Sequence, residues 1–439
     1  MAFIICKYEW TCILNTLEQL RSGQLTGAKR LQLVEQLSTF PSEIFTLADS
    51  LEVLDLSNNK LSDLPDEFAC LTKLKRVFLS FNQFQHIPPV LAKCPALIMI
   101  AFKGNQISDF AEHCLPITTQ WLILTDNQLK QLPESFGELT HLRKLALAGN
   151  QLTRLPNSMR HCQALELVRL SANNLAAIDD WLLELPKLSW LAFGGNQFNK
   201  AQSLENVPLE QVKLTEFALV EQIGEGASGI IHLANWQTHK VALKLFKGAI
   251  TSDGYPLDEV NCCLQAGIHE NLIKVLAYIN NPEQLALVME LISKDYQNLG
   301  LPPSLDTCTR DTFAEHTQFT THAIKHIAKQ MVSTLAHLHA NNVSHGDVYA
   351  HNTMINDENN VLFGDFGAAT NLNTLTEQQR LQMQRIEVRA IGCLIDDLLH
   401  VCSEETSEKA QLITLAQQCM NADMTQRPSF AILKHDLNL

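Results

Sequence analysis

The chain has 439 residues, of which 46% are hydrophobic and 18% charged, and its 33 Lys+Arg against 47 Asp+Glu give a formal charge of -14. That length predicts two or three domains, each large enough to bury a core. The acidic balance argues against a broad nucleic-acid footprint or an anionic membrane surface as partner, since both need a basic face. No apolar run approaches a transmembrane length, and the opening Met1 to Cys6 stretch is broken by Lys7 and Glu9, so neither a secretory signal nor a membrane anchor is expected. The twelve cysteines are scattered without a framework spacing, the pattern of reduced thiols in a cytoplasmic protein.

In chain order, Trp10 to Leu20 reads as an amphipathic helix, and residues 1–24 are assigned as an N-terminal cap. Leu31 to Pro41 reads as a degenerate first repeat. From Leu51 the segment LEVLDLSNNKLSDLP sets a frame whose Asn returns at Asn59, Asn82, Asn105, Asn127, Asn150, Asn173 and Asn196, at intervals of 22 or 23 residues. Pairs such as Leu54 and Leu56, or Leu145 and Leu147, suit a short strand with one face inward. The Asn that follows can satisfy turn backbone through its amide, so stacked units form an Asn ladder. A single unit cannot bury its apolar face alone, which makes the stack obligatory.

This pattern resembles the leucine-rich-repeat family over residues 25–205, and the resemblance implies an α/β solenoid. Its concave face is expected to carry Phe78, Met99, Trp121, Ile123 and Trp190 beside Arg76, Lys103, Lys144 and Arg169. Aromatic and basic groups on a rigid face predict a protein substrate or regulator as ligand. The period stops after Phe198, and residues 206–215 are read as a short linker.

A second set of motifs follows in fixed order: IGEGASGII with Gly224, Gly226 and Gly229, then VALK ending at Lys244, then Glu259 in a helical stretch. HENLIKV, LALVMELI, HGDVYAHN from His345, GDFG from Gly364 and RPSF from Arg427 complete it. Jointly these resemble the protein-kinase family across residues 216–439, implying a bilobal α+β protein-kinase-like domain that uses ATP and Mg²⁺. The resemblance implies that the glycines close over phosphates, that Lys244 meets the α/β-phosphates, and that Glu259 holds its ammonium. Met289 falls at the gatekeeper position, the backbone of Glu290 and Ile292 would read the adenine edge, and Ile231, Ala242 and Met354 would sandwich the base. Asp347 is the expected acceptor or orienter of the substrate hydroxyl's proton, and Asn352 and Asp365 are the expected metal ligands.

Three departures stand out. Gly346 replaces the Arg of HRD, so no tether for a phosphorylated activation segment is expected, and Thr370, Thr374 and Thr376 are not expected to be required phosphosites. Tyr349 and His351 replace the usual catalytic-loop residues. Between Ala368 and Ile386 there is no APE motif; Glu377 to Leu399 reads as helix, and Arg427 needs a new partner, for which Glu387 is the candidate.

These features predict a serine/threonine protein kinase whose repeats recruit or sense a protein. HGDxxxxN without APE also resembles aminoglycoside and choline phosphotransferases, and a nucleotide-binding scaffold is the third reading. Residues 1–213 hold 19 Lys+Arg against 21 Asp+Glu and the remainder 14 against 26, so the acidity lies in the second half, favouring basic protein substrates there.

Overall fold

The computed structural model describes residues 14–200, 209–226, 228–248, 250–251, 253–281 and 283–438. It divides by packing into two units, one ending at Leu185 and the other running from Pro186 to the C-terminus.

The first unit is built from repeats. The predicted helix at Trp10 begins outside the described residues; its described end is α1 (Leu17–Arg21), started by a capping box in which Thr16 accepts from the Gln19 amide. Seven strands follow: β1 (Arg30–Gln32), β2 (Val53–Asp55), β3 (Arg76–Phe78), β4 (Met99–Ala101), β5 (Trp121–Ile123), β6 (Lys144–Ala146) and β7 (Leu167–Arg169). Each pairs in parallel with the next in one unbroken register, Leu31 opposite Leu54 opposite Val77 and onward to Val168. These central residues are fully buried, each contributing roughly 2 kcal/mol of apolar burial. Prolines 41, 65, 88, 133 and 156 each introduce a 3-10 turn on the opposite side of the repeat, and α2 (Asp180–Leu183) closes the unit.

The Asn ladder is present in atomic detail. Asn82 Nδ2 donates to Leu56 O at 2.9 Å and to Leu79 O at 3.1 Å, while its Oδ1 accepts from Leu61 N at 2.9 Å, so one amide ties two repeats. The residue before each ladder Asn is left-handed: Asn58, Phe81, Gly104, Asp126, Gly149 and Ala172 have φ between 53° and 71°. Phe81 and Ala172 hold this conformation with a Cβ, at a cost glycine avoids.

On the strand face the sequence expectation needs correction. Met99, Arg169 and Trp190 are buried, whereas Arg76, Phe78, Trp121, Ile123, Lys103 and Lys144 are half-buried, with the Lys144 ammonium 4.2 Å from the Trp121 ring centroid.

The second unit begins earlier than the end of the repeat pattern. Strand β8 (Trp190–Ala192), which carries the last repeat signature, belongs to it. Part of the segment read as a linker is docked. Residues 206–208 lie outside the described residues, but β9 (Glu210–Gln211) pairs in parallel with a later strand and Val212 is buried in the sheet core. Its apolar side chain is better placed in that core than in water.

Strands β10 (Phe217–Glu225), β11 (Gly229–Trp236), β12 (His239–Phe246), β13 (Val275–Asn280) and β14 (Leu285–Glu290) form with β9 a six-stranded sheet of order β10-β11-β12-β14-β13-β9. Val241, Leu243, Ala277, Ile279, Ala286 and Val288 share one core, and Tyr278 and Leu287 pack with Val260 of α3 (Pro256–Ala266) on the other face. Below lie β15 (Gln297–Asn298), α4 (Thr321–Ala340), β16 (Val343–Ser344), β17 (Thr353–Ile355), β18 (Val361–Phe363) and β19 (Thr370–Asn371). Helices α5 (Glu377–His400), α6 (Ser407–Cys419) and α7 (Phe430–Asp436) complete the chain. The expected helix from Glu377 is α5, capped by Thr376 and buried along Met383, Ile386, Ala390, Leu394 and Leu398. The ten described cysteines are free thiols, and among the described residues no helix is long and apolar enough to cross a membrane.

Candidate active site

Alternation along β12 buries Val241 and Leu243 in the sheet core and turns Ala242 and Lys244 to its other face. The Lys244 ammonium is buried and bonded to the Glu259 carboxylate of α3; Asp365 Oδ1 is 3.8 Å away. Burial lowers the pKa of this lysine, but the two carboxylates outweigh it and hold the pKa above the ordinary value. Asp365 itself is left-handed at φ 59°, its carboxylate accepting from Gly367 N at 3.3 Å, and its side chain is 58% exposed toward solvent.

Glycines shape the roof. Gly226 N donates to Gly229 O at 2.9 Å, closing the β10–β11 turn. A Cβ at Gly229 would lie 2.5 Å from Leu245 O, so the close strand approach requires glycine there, whereas Gly226 has nothing within 4 Å of that position and faces open space. Gly224 lies in β10 opposite Ile231.

Beneath this roof is a cleft with a cavity volume of about 140 Å³. Of the residues singled out from sequence, Gly226, Gly229, Ile231, Lys244, Glu259, Met289, Asn352, Met354 and Asp365 line it. Gly224, Ala242, Glu290, Ile292 and Asp347 are not among the lining residues. Ala242 is buried opposite Met289 in the β12–β14 register, and Glu290 is exposed at the end of β14, its N–H given to Lys274 O at 2.9 Å. Sequence reading gave no site role to Ile273 and Val275 of HENLIKV, Leu287 of LALVMELI and Phe366 of GDFG, nor to Cys263, all of which line the cleft; for the first four, the motifs that contain them were the available signal.

The loop between β16 and β17 holds Asp347. Asn352 Nδ2 donates to Asp347 Oδ2 at 2.8 Å and to its carbonyl at 3.1 Å, bringing together two of the residues predicted from HGDVYAHN. His345 is wholly buried, stacked on Phe363 with ring centroids 4.0 Å apart, and its Nε2–H donates to Gly364 O at 3.0 Å. Burial lowers its pKa against the pull of nearby carboxylates. Asp311 accepts from Ala350 N at 2.5 Å and pairs with His351 Nδ1 at 2.6 Å.

Glu387 anchors the start of the loop, not Arg427. Its Oε1 accepts from Gly346 N at 2.7 Å and its Oε2 meets His339 Nε2 at 2.5 Å. Burial works against this charge, but His339 and the Gly346 amide outweigh it and hold the pKa below the ordinary carboxylate value. Arg427 instead donates to three carbonyls, Asn421 at 2.8 Å, Arg385 at 3.0 Å and Pro186 at 2.7 Å. The expected Arg427–Glu387 pair is therefore absent, because each group is already saturated by nearer partners.

The donor set suits a hard divalent cation. One ammonium faces two carboxylates around the cleft, and the exposed Asp365 with the Asn352 amide oxygen are oxygen donors of the kind Mg²⁺ shares with phosphate oxygens.

With this geometry established, similarity to known proteins can be stated. Residues 217–390 match the protein kinase domain model, and residues 27–84 and 117–175 match the leucine rich repeat model. The chain is 31% identical over 154 residues to CTD kinase subunit alpha of Schizosaccharomyces pombe, covering 34% of this chain and 24% of that one. It is 25% identical over 248 residues to cyclin-dependent kinase C-1 of Arabidopsis thaliana, covering 47% of each. The chain thus spans less than half the length of these relatives. Among solved structures, a leucine-rich-repeat protein of Leptospira interrogans matches with a TM-score of 0.34 and 26% identity, covering 40% of this chain and 50% of that one. This chain carries a leucine-rich-repeat region followed by a protein-kinase domain.

Proposed function

We propose that the protein is an ATP- and Mg²⁺-dependent protein kinase acting on serine or threonine, with its repeats recruiting or sensing a protein partner. The observation that carries this reading is the convergence of Lys244, Glu259, Asp365 and Asn352 around one cleft, with Asp347 joined to it through its bond from Asn352. Lys244, kept charged by Glu259, binds the α/β-phosphates, and the Gly226 turn lets backbone approach them without a Cβ in the way. Ile231, Met289 and Met354 with Ala242 behind supply apolar surface for the base, and the backbone of Glu290 and Ile292 its polar edge. When bound, Mg²⁺ neutralises charge on the transferring phosphoryl group. Asn352 and Asp365 are the residues that would hold it. Asn352 also fixes the plane of the Asp347 carboxylate from its Oδ2 side, so that Asp347 meets the acceptor hydroxyl in one orientation and takes its proton.

The protein-kinase match along residues 217–390 supports a protein acceptor over a small molecule, and the catalytic loop lacks the Arg or Lys features of tyrosine kinases. The half-buried Trp121, Phe78 and Ile123 with Lys103 and Lys144 support a protein ligand for the repeats. Incubation with labelled ATP, Mg²⁺ and a panel of basic and acidic proteins tests the reading. Asp347→Asn is expected to lower transfer by about 10³-fold while keeping the ATP-induced rise in Tm. Near wild-type transfer by that variant would overturn the assignment.

A further inference from the structure

The last repeat departs from the other seven strands in what surrounds it. In β8 the Trp190 ring is 1% exposed and stacks flat on Tyr349, with centroids 4.5 Å apart and planes 8° apart. Its Nε1–H donates to Val348 O at 3.0 Å. The adjacent Leu191 carbonyl faces Gly346, whose φ is +72°; a Cβ there would lie 2.8 Å from Leu191 O and 2.6 Å from Ala368 O. Phe193 N donates to Thr370 Oγ1 at 3.2 Å in the segment after GDFG. At the edges of the repeat, Ser189 Oγ accepts from Arg389 at 2.9 Å and Pro186 O from Arg427 at 2.7 Å. One short strand therefore touches the residues immediately before and after Asp347 and the segment that follows Asp365.

We infer that the terminal repeat, through Trp190, is the fixed clamp that positions the catalytic loop carrying Asp347, a role independent of phosphorylation of the segment 368–376. This inference deepens the kinase reading and rests on it. An arginine does not fit at position 346, because its Cβ would clash with the Leu191 and Ala368 carbonyls and the left-handed backbone there strains any residue with a Cβ. The clamp fills that space instead. Nor are the hydroxyls of the segment available as switches: Thr370 is fully buried and accepts from Phe193 N, and Thr376 caps α5 by accepting from Gln379 N at 3.2 Å. Thr374 and Thr376 are both exposed, but the Thr376 hydroxyl is engaged in the cap, which leaves Thr374 as the exposed threonine without that role. Tyr349 passes the constraint onward, since its ring also lies 4.8 Å from that of His351, which is paired with Asp311. Trp190 touches no reacting atom, so it is a positioning residue; a displacement of about 1 Å at Asp347 is enough to cost on the order of 100-fold in rate.

The test uses the full chain. Trp190→Ala removes ring and hydrogen bond; Trp190→Phe keeps a ring and loses only the bond. Assayed well below their Tm, the alanine variant is expected to lose about 10- to 100-fold in kcat with KM for ATP within about twofold, and the phenylalanine variant only about three- to tenfold. Hydrogen exchange is expected to rise in peptides covering 345–352 and not in α4. A purely structural role would lower Tm and active fraction while leaving kcat per ATP-binding molecule unchanged, and that result would overturn the inference. If the alanine variant fails to fold, the phenylalanine variant decides alone: unchanged kcat and unchanged exchange at 345–352 overturn the clamp. Thr374→Ala and phosphatase treatment are expected to leave turnover unaltered, and loss of turnover with either would overturn the independence from phosphorylation. Should the wild type transfer phosphate to no acceptor, the kinase reading falls, and the exchange measurement still decides whether Trp190 clamps the loop.

Discussion

Two regions of this molecule solve the same problem, satisfying buried backbone groups in a non-helical turn, by opposite means. In the repeats a single residue type does it: each Asn from Asn59 to Asn173 bonds its own repeat and the one before. In the loop that carries Asp347 the groups are held one at a time by different residues, Glu387 for Gly346, Asp311 for Ala350 and Trp190 for Val348 from distant elements, and Asn352 for Asp347 from within the loop. The ladder is redundant and uncharged. The loop is unique at every point and relies on ionised groups, so the consequences of damage should differ in size and in pH dependence.

Glu387→Gln is the largest blow to stability. It leaves His339 without its carboxylate partner in a buried site and should destabilise the second unit by about 3 kcal/mol, read by chemical denaturation. Because the folded pKa of Glu387 lies below its unfolded value, this contribution is present above the unfolded value near 4.5 and is lost as pH falls through the folded value. The gap between wild type and variant should therefore be level from pH 8 to 5 and shrink below about 4.5. A gap that widens on acidification would reverse the assigned direction.

Asn127→Ala sharpens the other side. It removes donations to Phe102 O and Leu124 O and leaves Ile107 N without its acceptor, at about 2 kcal/mol. That loss should be independent of pH between 5 and 8 and leave the ATP-induced Tm shift intact. A pH-dependent loss would break the contrast between ladder and loop.

The smallest effect is a gain. Ala172 sits at φ 53°, where the equivalent turns at 104 and 149 use glycine, so Ala172→Gly should stabilise by about 0.5 kcal/mol, measured as a higher denaturation midpoint. Destabilisation instead would mean that the buried Ala172 methyl contributes more than the backbone strain costs.

Much of this was legible before any coordinates. The 22- to 23-residue Asn period placed strands β2 to β8, and the motif order drew attention to Lys244, Glu259, Asn352 and Asp365, which line one cleft. Helix α5 was readable from Glu377 because its run of helix-forming residues is a local signal. The partners of Arg427 and Glu387 were not readable. Both are buried polar groups whose bonds go to carbonyls and a histidine in other elements, and sequence order carries no record of that proximity. The apolar walls Ile273, Val275 and Leu287 escaped for a related reason: a core residue and a pocket residue have the same composition.

Trp190 shows the limit most clearly. By sequence it is one more strand-face aromatic, equivalent to Trp121, and belongs with the repeats. Periodicity correctly gave its strand and its face, because repeat spacing is a local property of the chain. Only the tertiary structure decided that this ring lies under Tyr349 beside Asp347, and that position 346 must be glycine, because both follow from which surfaces meet after the chain has folded.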